Sequence, residues 1–411
     1  MIEKFKKAGY EVVDFGNLAD IYVINSCSVT NMSTRKTRQE LSKAKRKGSI
    51  VVLAGCYAQE IIDKPNILNA DVIIGNEEKK DIVNIVESYI NSNKAQYVLN
   101  VSDISKVKKY VQKDKLTKGM NIRESVKIED GCNNFCSYCI IPYVRGRVRS
   151  RNLDDIVEEV ENLVKSGVGE VVLVGIEIAS YGKDLESSIS LIDVIERINK
   201  VKGLKRIRLG SIEPRVLTND FIIRLSKVEK LCPHFHLSVQ SLDNNVLKRM
   251  NRKYTREYVF DRVEMIRKYI KDVSFTCDII VGFPGETDEE FLNTLNGVKK
   301  IGFYEMHIFK YSKRKWTKAA SMIDQVDGNV ASKRSEKLID LSKESKKAYM
   351  RNFLGKKIDV LFESYSKGYL YGYTSNYMKI KVKGDKMLWG LQQKVELCSI
   401  EGDLILGKLS Q

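Results

Sequence analysis

The stretch that decides the fold reads Glu129-Asp-Gly-Cys132-Asn-Asn-Phe-Cys136-Ser-Tyr-Cys139-Ile-Ile-Pro142, a C-x3-C-x2-C spacing. Positions i, i+4 and i+7 share one helix face, but Gly131, the Asn133-Asn134 pair and Pro142 favour a loop. A zinc site normally wants a fourth Cys or His nearby. The chain's three histidines, His234, His236 and His307, all lie far downstream. Three thiolates in one short loop instead suit three corners of a 4Fe–4S cluster, which ordinarily takes four cysteines. The fourth iron is then open to a ligand.

Outward from this loop the pattern alternates. From Asn121 to about Asp340, Glu170–Gly175, Arg206–Leu209, His234–Val239, Ser274–Val281 and Tyr304–Phe309 read as buried strands. Charged helices such as Leu153–Ser166 and Glu257–Lys271 separate them, which predicts a full or partial parallel barrel. Upstream, strand candidates at Tyr10–Asp14, Ile21–Asn25, Ile50–Ala54 and Asp71–Gly75 alternate with helical patterns over Asn31–Arg46 and Lys79–Ile90. That order implies a parallel sheet flanked by helices. Cys27 and Cys56 each lie just past a strand, where open α/β sheets place their sites. Near the C-terminus, Lys357–Tyr365, Tyr369–Ser375, Tyr377–Val382 and Gly402–Leu409 read as the short strands of a small β-barrel. The expected organisation is α/β: a parallel-sheet domain over 1–95, a polar Lys-rich linker over 96–121, a partial (β/α) barrel over 122–345 and a β-barrel over 346–411.

Composition narrows the partners. The 411 residues carry a formal charge of +17, which a lysine-rich solvated surface or a polyanionic partner, most often nucleic acid, would each explain. Four arginines in Arg145-Gly-Arg-Val-Arg-Ser-Arg151 sit close to the thiols, favour their ionised form and suit phosphate. No apolar run approaches the roughly 18 residues that span a bilayer, and the charged start Met-Ile-Glu-Lys-Phe-Lys-Lys lacks the apolar stretch of an export signal. A cytoplasmic location is expected. The eight cysteines are then not a disulfide framework. Cys232, Cys277 and Cys398 are expected as small buried hydrophobes, and His234 and His236 as packed or hydrogen-bonded side chains.

The loop resembles the signature of radical S-adenosylmethionine enzymes, with Tyr138 in the usual aromatic position before the last cysteine. Further motifs narrow the likeness: Ile24-Asn-Ser-Cys27-Ser-Val-Thr30, Leu53-Ala-Gly-Cys56-Tyr, Gly146-Arg-Val-Arg-Ser-Arg151, Ser238-Val-Gln-Ser, Val246-Leu-Lys-Arg-Met-Asn-Arg252, Asp278-Ile-Ile-Val-Gly-Phe-Pro-Gly-Glu286 and Tyr311-Ser-Lys-Arg-Lys315. These resemble the methylthiotransferases, and most of all the branch acting on N6-threonylcarbamoyladenosine next to the anticodon of tRNA. The resemblance implies a radical-generating 4Fe–4S cluster on Cys132, Cys136 and Cys139, which binds S-adenosylmethionine. It implies an auxiliary 4Fe–4S cluster with Cys27 and Cys56 among its ligands. Contacts to S-adenosylmethionine are expected from Tyr138, Gly175, Glu177 and Gln240, and contacts to RNA from Arg145, Arg147, Arg149, Arg151 and a C-terminal barrel of the TRAM type. The partners it implies are tRNA, a low-potential electron donor such as flavodoxin or ferredoxin, and a sulfur source, with no membrane. No catalytic side chain is singled out.

The family pattern also has a first strand and a third auxiliary cysteine ahead of the helix at Met1-Ile-Glu-Lys-Phe-Lys-Lys-Ala-Gly9. Here that domain reads as truncated, and both are expected in frame upstream. Alternative substrates are isopentenyladenosine in tRNA or a ribosomal-protein aspartate. Outside catalysis, the charge and the β-rich tail alone would suit an RNA-binding metalloprotein.

Overall fold

The computed structural model describes residues 1–63, 69–92, 97–110 and 121–410. They divide into two compact units. One comprises Met1–Lys113, Gly131–Arg147 and Ser312–Met322; the other comprises Asp114–Asp130, Val148–Tyr311 and Ile323–Gln411.

The first unit is built on four parallel strands in spatial order Ile21–Ser26, Ile50–Gly55, Val72–Ile74 and Val98–Asn100. Alternation along Ile50–Gly55 sends Val51 and Leu53 to one face, against Tyr22, Ile24, Leu41 and Ala44. Val52 and Ala54 go to the other, against Ile82, Val86 and Tyr89. Both faces are therefore apolar, as a parallel sheet between helices requires. Helix Asn31–Arg46 starts cleanly because Thr30 and Ser33 form a capping box. Ser26 fastens two strand ends together: its hydroxyl donates to Ala54 O at 2.7 Å and accepts from Tyr57 N–H at 3.1 Å.

Tyr10–Asp14 carries no strand. Its alternation is only a surface preference, and a strand exists by pairing with neighbouring backbone, which no described segment supplies here. The stretch expected as a linker contains the strand Val98–Asn100 and a 3₁₀ turn at Ile104–Lys106. Residues 96 and 111–120 of that stretch lie outside the described residues.

The second unit carries two parallel sheets. Arg123–Lys127, Glu170–Val174 and Arg206–Leu209 form one; Ser211–Ile212, His234–Gln240, Ser274–Val281 and Glu305–Lys310 form the other. A bridge from Ile207 to Leu231 adds a further parallel pairing. Val126, Val171, Leu173, Ile207, Phe235, Leu237, Phe275 and Cys277 join the apolar core shared with the helices. The alternate positions Arg123, Glu170, Arg206, Arg208, His234, His236 and Thr276 face the other way. This is the expected partial (β/α) barrel. Arg123–Lys127 was hidden because Arg-Glu-Ser-Val-Lys offers a single apolar residue.

Five C-terminal strands close into a barrel in the order Lys357–Ser366, Tyr369–Thr374, Lys379–Lys383, Leu404–Leu409 and Gln392–Glu401. The last of these lies outside the four expected strands. Its register shifts between Leu397 and Ser399, which breaks the alternation and leaves Cys398 exposed. Cys398 is therefore not the buried hydrophobe expected, whereas Cys232 and Cys277 are. Arg206 donates to Tyr373 O at 2.9 Å and Asp359 O at 3.0 Å, and Arg208 to Ser375 O at 3.0 Å. Arg206 and Ser274, which donates to Asn376 O at 2.7 Å, begin their strands. The small barrel thus docks at the N-terminal ends of the parallel strands, leaving their C-terminal ends to the site. Among the described residues no helix is long and apolar enough to cross a membrane.

Candidate active site

In the first unit, the three-cysteine segment is a loop, not a helical stripe. Gly131 has φ +83°, and a Cβ there would lie 1.9 Å from Arg147 O, so only glycine allows the approach. Cys132 N–H donates to Gly146 O at 3.1 Å, and Cys139 N–H closes a turn on Cys136 O at 2.9 Å. The short helix Ile141–Val144 follows, with Pro142 in its first turn. Cys132 is buried, while Cys136, Cys139 and Tyr138 are half-buried.

Among the described residues, no three Cys, His, Asp or Glu side chains converge closely enough to hold a single metal ion. An iron–sulfur cube takes its thiolates at separate corners, further apart than one ion would. Three thiols spread along one glycine-hinged loop fit that donor set.

Cys27 is exposed and Cys56 buried, each just past its strand. Cys56 packs against Ile140 and Val144. Its Sγ accepts from Arg145 Nε at 3.0 Å and lies 3.7 Å from Asn76 Nδ2, which also donates to Val144 O at 2.7 Å. The segment after the Cys132–Cys139 loop therefore covers Cys56.

This changes the reading of the arginine run. Arg145 is engaged by a thiol rather than displayed to phosphate. In the second unit, Arg149 is 4% exposed and lies beside Asp130. Arg151 is 2% exposed, paired with Glu159 and donating to Lys127 O and Asp155 O. Neither can reach an RNA backbone. A run of basic residues says nothing about which of them the fold buries. Arg147 is exposed, its guanidinium 4.4 Å above the Phe135 ring.

The second unit holds the remaining candidates. A Cβ on Gly175 would lie 2.2 Å from Glu129 Oε1, so glycine here makes room for that carboxyl. Glu129 Oε1 accepts from the Glu177 N–H, and its Oε2 has no partner among the described residues. Glu177 is buried, with Oε1 likewise unpartnered. Burial pushes Glu129 up to about 8. Burial and then repulsion from Glu213 push Glu177 up to about 7. The sequence singled out Glu177 and missed Glu129, whose signal was its place just ahead of the cysteine loop. Gln240 ends its strand at φ 65°, just past a register shift and paired with Ile279. His234 Nε2 and His236 Nδ1 lie 3.0 and 2.9 Å from Thr276 Oγ1, and His236 also faces Asp278 at 3.2 Å, while His234 Nδ1 is buried without a hydrogen-bond partner among the described residues.

Parallel βα units and a C-x3-C-x2-C loop together define a radical S-adenosylmethionine protein, and comparison agrees. The Radical SAM superfamily model matches residues 126–297, and that of uncharacterized protein family UPF0004 matches residues 1–75. A radical S-adenosylmethionine methyltransferase from Kitasatospora setae, TsrM, aligns with TM-score 0.56 at 14% identity, over 74% of this chain and 65% of that one. The threonylcarbamoyladenosine tRNA methylthiotransferase MtaB of Bacillus subtilis is 39% identical across 96% of this chain and 88% of its own length. The tRNA-2-methylthio-N(6)-dimethylallyladenosine synthase of Thermoanaerobacter sp. (strain X514) is 34% identical across 98% and 88%. The chain belongs to the radical S-adenosylmethionine tRNA methylthiotransferase family. Membership implies a 4Fe–4S cluster and S-adenosylmethionine as cofactors.

Proposed function

We propose that this chain methylthiolates C2 of N6-threonylcarbamoyladenosine next to the anticodon of tRNA. The observation that carries the reading is the 39% identity with the threonylcarbamoyladenosine enzyme over 96% of the chain. The glycine-hinged Cys132–Cys139 loop supports it. An adenine C2–H bond is strong and non-acidic, so a protein base has little to act on.

Cys132, Cys136 and Cys139 would hold the radical-generating 4Fe–4S cluster, which would bind S-adenosylmethionine and supply the electron for its reductive cleavage. Cys27 and Cys56 would be among the ligands of an auxiliary cluster, which would supply the sulfur. Glu177, with a buried unpartnered oxygen, is suited to accept from the amino group of S-adenosylmethionine. Gly175 leaves space for the Glu129 carboxyl, whose Oε1 accepts from the Glu177 N–H and so helps to position that residue. Gln240 and Tyr138 complete the cofactor contacts.

Arg147 and the TRAM-type C-terminal barrel contact the RNA. On that barrel Tyr369, Tyr371 and Tyr373 stand opposite Lys383, Lys381 and Lys379. A low-potential donor such as flavodoxin or ferredoxin and a sulfur source complete the reaction, and a tRNA substrate implies the cytoplasm.

Similarity to the dimethylallyladenosine enzyme sustains a second reading on that nucleoside. Mass spectrometry of tRNA nucleosides decides between them. Cells lacking the gene lose 2-methylthio-N6-threonylcarbamoyladenosine and accumulate its precursor. Loss of the dimethylallyl product instead, with the threonylcarbamoyl product intact, overturns the assignment.

A further inference from the structure

In the first unit, two aromatic residues hold left-handed backbone: Phe135 at φ 47° and Trp316 at φ 65°. That conformation costs a non-glycine residue roughly 1 kcal/mol or more. Trp316 occupies the third position of a turn closed by Thr317 N–H on Arg314 O at 3.3 Å, where glycine would fit without the cost. The indole is nevertheless 40% exposed, so core packing does not account for it.

The surroundings give it a use. Arg147 lies 4.4 Å above the Phe135 ring, and Phe135 meets Tyr143 edge-on at 5.7 Å. Tyr143, itself 39% exposed, lies 6.2 Å from Trp316 at a 40° tilt, and Lys315 Nζ caps the indole at 4.5 Å. Cation, ring, ring, ring, cation follow one another in a chain of contacts, of which Arg147, Tyr143, Trp316 and Lys315 are exposed. We propose that Arg147, Phe135, Tyr143, Trp316 and Lys315 form a stacking platform for unpaired nucleobases of the RNA substrate. This rests on the tRNA reading and adds to it where single-stranded bases are gripped.

Unpaired bases stack on aromatic and guanidinium planes while nearby cations neutralise phosphates, and a duplex hides the base faces. Lys315 also pairs with Asp63 at 2.7 Å, but both groups are exposed, so that contact contributes little. The platform is anchored to both cysteine-bearing loops. Arg314 donates to Ser28 O at 3.1 Å and Asn31 N–H to Ser312 Oγ at 3.0 Å, beside Cys27. Ala319 N–H donates to Ser137 O at 2.8 Å, between Cys136 and Cys139. A base stacked on Trp316 is therefore held on the chain segment tied to both thiol sets.

The test uses the full-length holoenzyme with Trp389→Phe, which leaves Trp316 as the one indole of the two in the sequence. Trp316→Gly removes the ring and relieves the backbone, so its melting temperature holds or rises while binding falls. The probes are an unstructured oligoadenylate, an anticodon stem-loop bearing N6-threonylcarbamoyladenosine, and an RNA duplex of equal length. Expected are quenching of Trp316 by the first two probes and an affinity loss of about 5- to 140-fold for both in Trp316→Gly, since one stacked base is worth about 1–3 kcal/mol and 1.4 kcal/mol is tenfold. Duplex affinity stays unchanged, and Trp316→Phe restores binding of the other two. If the stem-loop binds tightly but Trp316→Gly changes neither affinity, the platform is overturned and the tRNA reading stands. If oligoadenylate binding depends on Trp316 but the stem-loop binds no better than duplex, the platform stands and the tRNA reading falls.

Discussion

Arg145 Nε lies 3.0 Å from Cys56 Sγ, joining the segment after the Cys132–Cys139 loop to a thiol 89 positions earlier in the chain. Such a contact is measurable as coupling. Removing either partner alone leaves the other without its contact in a mostly apolar setting. In a double-mutant cycle with Arg145→Ala and Cys56→Ala, the apo chain should show about 0.5–3 kcal/mol of non-additivity by denaturant unfolding. Strict additivity would show that the contact does not hold in solution.

The two sets of thiols should separate by function. Cys136→Ala should abolish 5′-deoxyadenosine formation under a strong reductant and lower bound iron, because the loop then has two ligands. Cys56→Ala should keep S-adenosylmethionine cleavage while losing methylthiolation of RNA. Chromatography of 5′-deoxyadenosine beside nucleoside mass spectrometry reads both. Full cleavage by Cys136→Ala would remove the loop from the mechanism.

Much of this was visible in the residues, and the rest was hidden for identifiable reasons. The C-x3-C-x2-C loop could be read because Gly131 and Pro142 punctuate it and no helix would carry both. The strand Ile50–Gly55 could be read because both faces are apolar, and Ser274–Val281 because Phe275, Cys277, Ile279 and Val281 form an unbroken apolar alternation. Gln392–Glu401 could not, since the bulge at Cys398 shifts its alternation halfway along. Tyr10–Asp14 misled because alternation describes a surface and not the partner that makes a strand. The arginine run misled most. Arg145, Arg147, Arg149 and Arg151 look alike in one dimension, yet one contacts a thiol, one overlies a ring and two are buried with carboxylates nearby.

Stability should depend on pH through Glu177. Its folded-state carboxyl is pushed up to about 7, first by burial and then by Glu213, against an ordinary value of 4.5. Between those values the folded chain keeps a proton that the unfolded chain releases, so stability falls as pH rises. The contribution is fully present below pH 4.5 and is lost as pH rises through about 7. Its size is on the order of 3 kcal/mol. Glu177→Gln, which stays neutral, should flatten the decline in melting temperature of the apo chain between pH 5 and 8. Part of the slope should remain, because Glu129 is raised as well, to about 8. Identical pH profiles for wild type and variant would show that the group is not buried as described.

The C-terminal barrel offers a test of RNA contact that is independent of chemistry. Strands Tyr369–Thr374 and Lys379–Lys383 pair so that Tyr369 faces Lys383, Tyr371 faces Lys381 and Tyr373 faces Lys379. The residues between them, Leu370, Ile380 and Val382, fill the barrel core, so the tyrosines and lysines share the outer surface. Tyr373 is stacked on Tyr377 with Arg123 above it, which closes that end of the row. Lys381 lies 4.8 Å from the Tyr369 ring and pairs with Glu401, so its charge is partly spent. Lys379 and Lys383 are exposed and are the pair placed to meet phosphate. Each phosphate contact removed lowers the slope of log affinity against log salt by about 0.7 to 0.9. Lys379→Ala with Lys383→Ala should therefore reduce the slope for tRNA by about 1.4 to 1.8, weaken binding alike across RNA sequences, and leave S-adenosylmethionine cleavage without RNA intact. A slope equal to wild type would show that the RNA backbone does not cross this face.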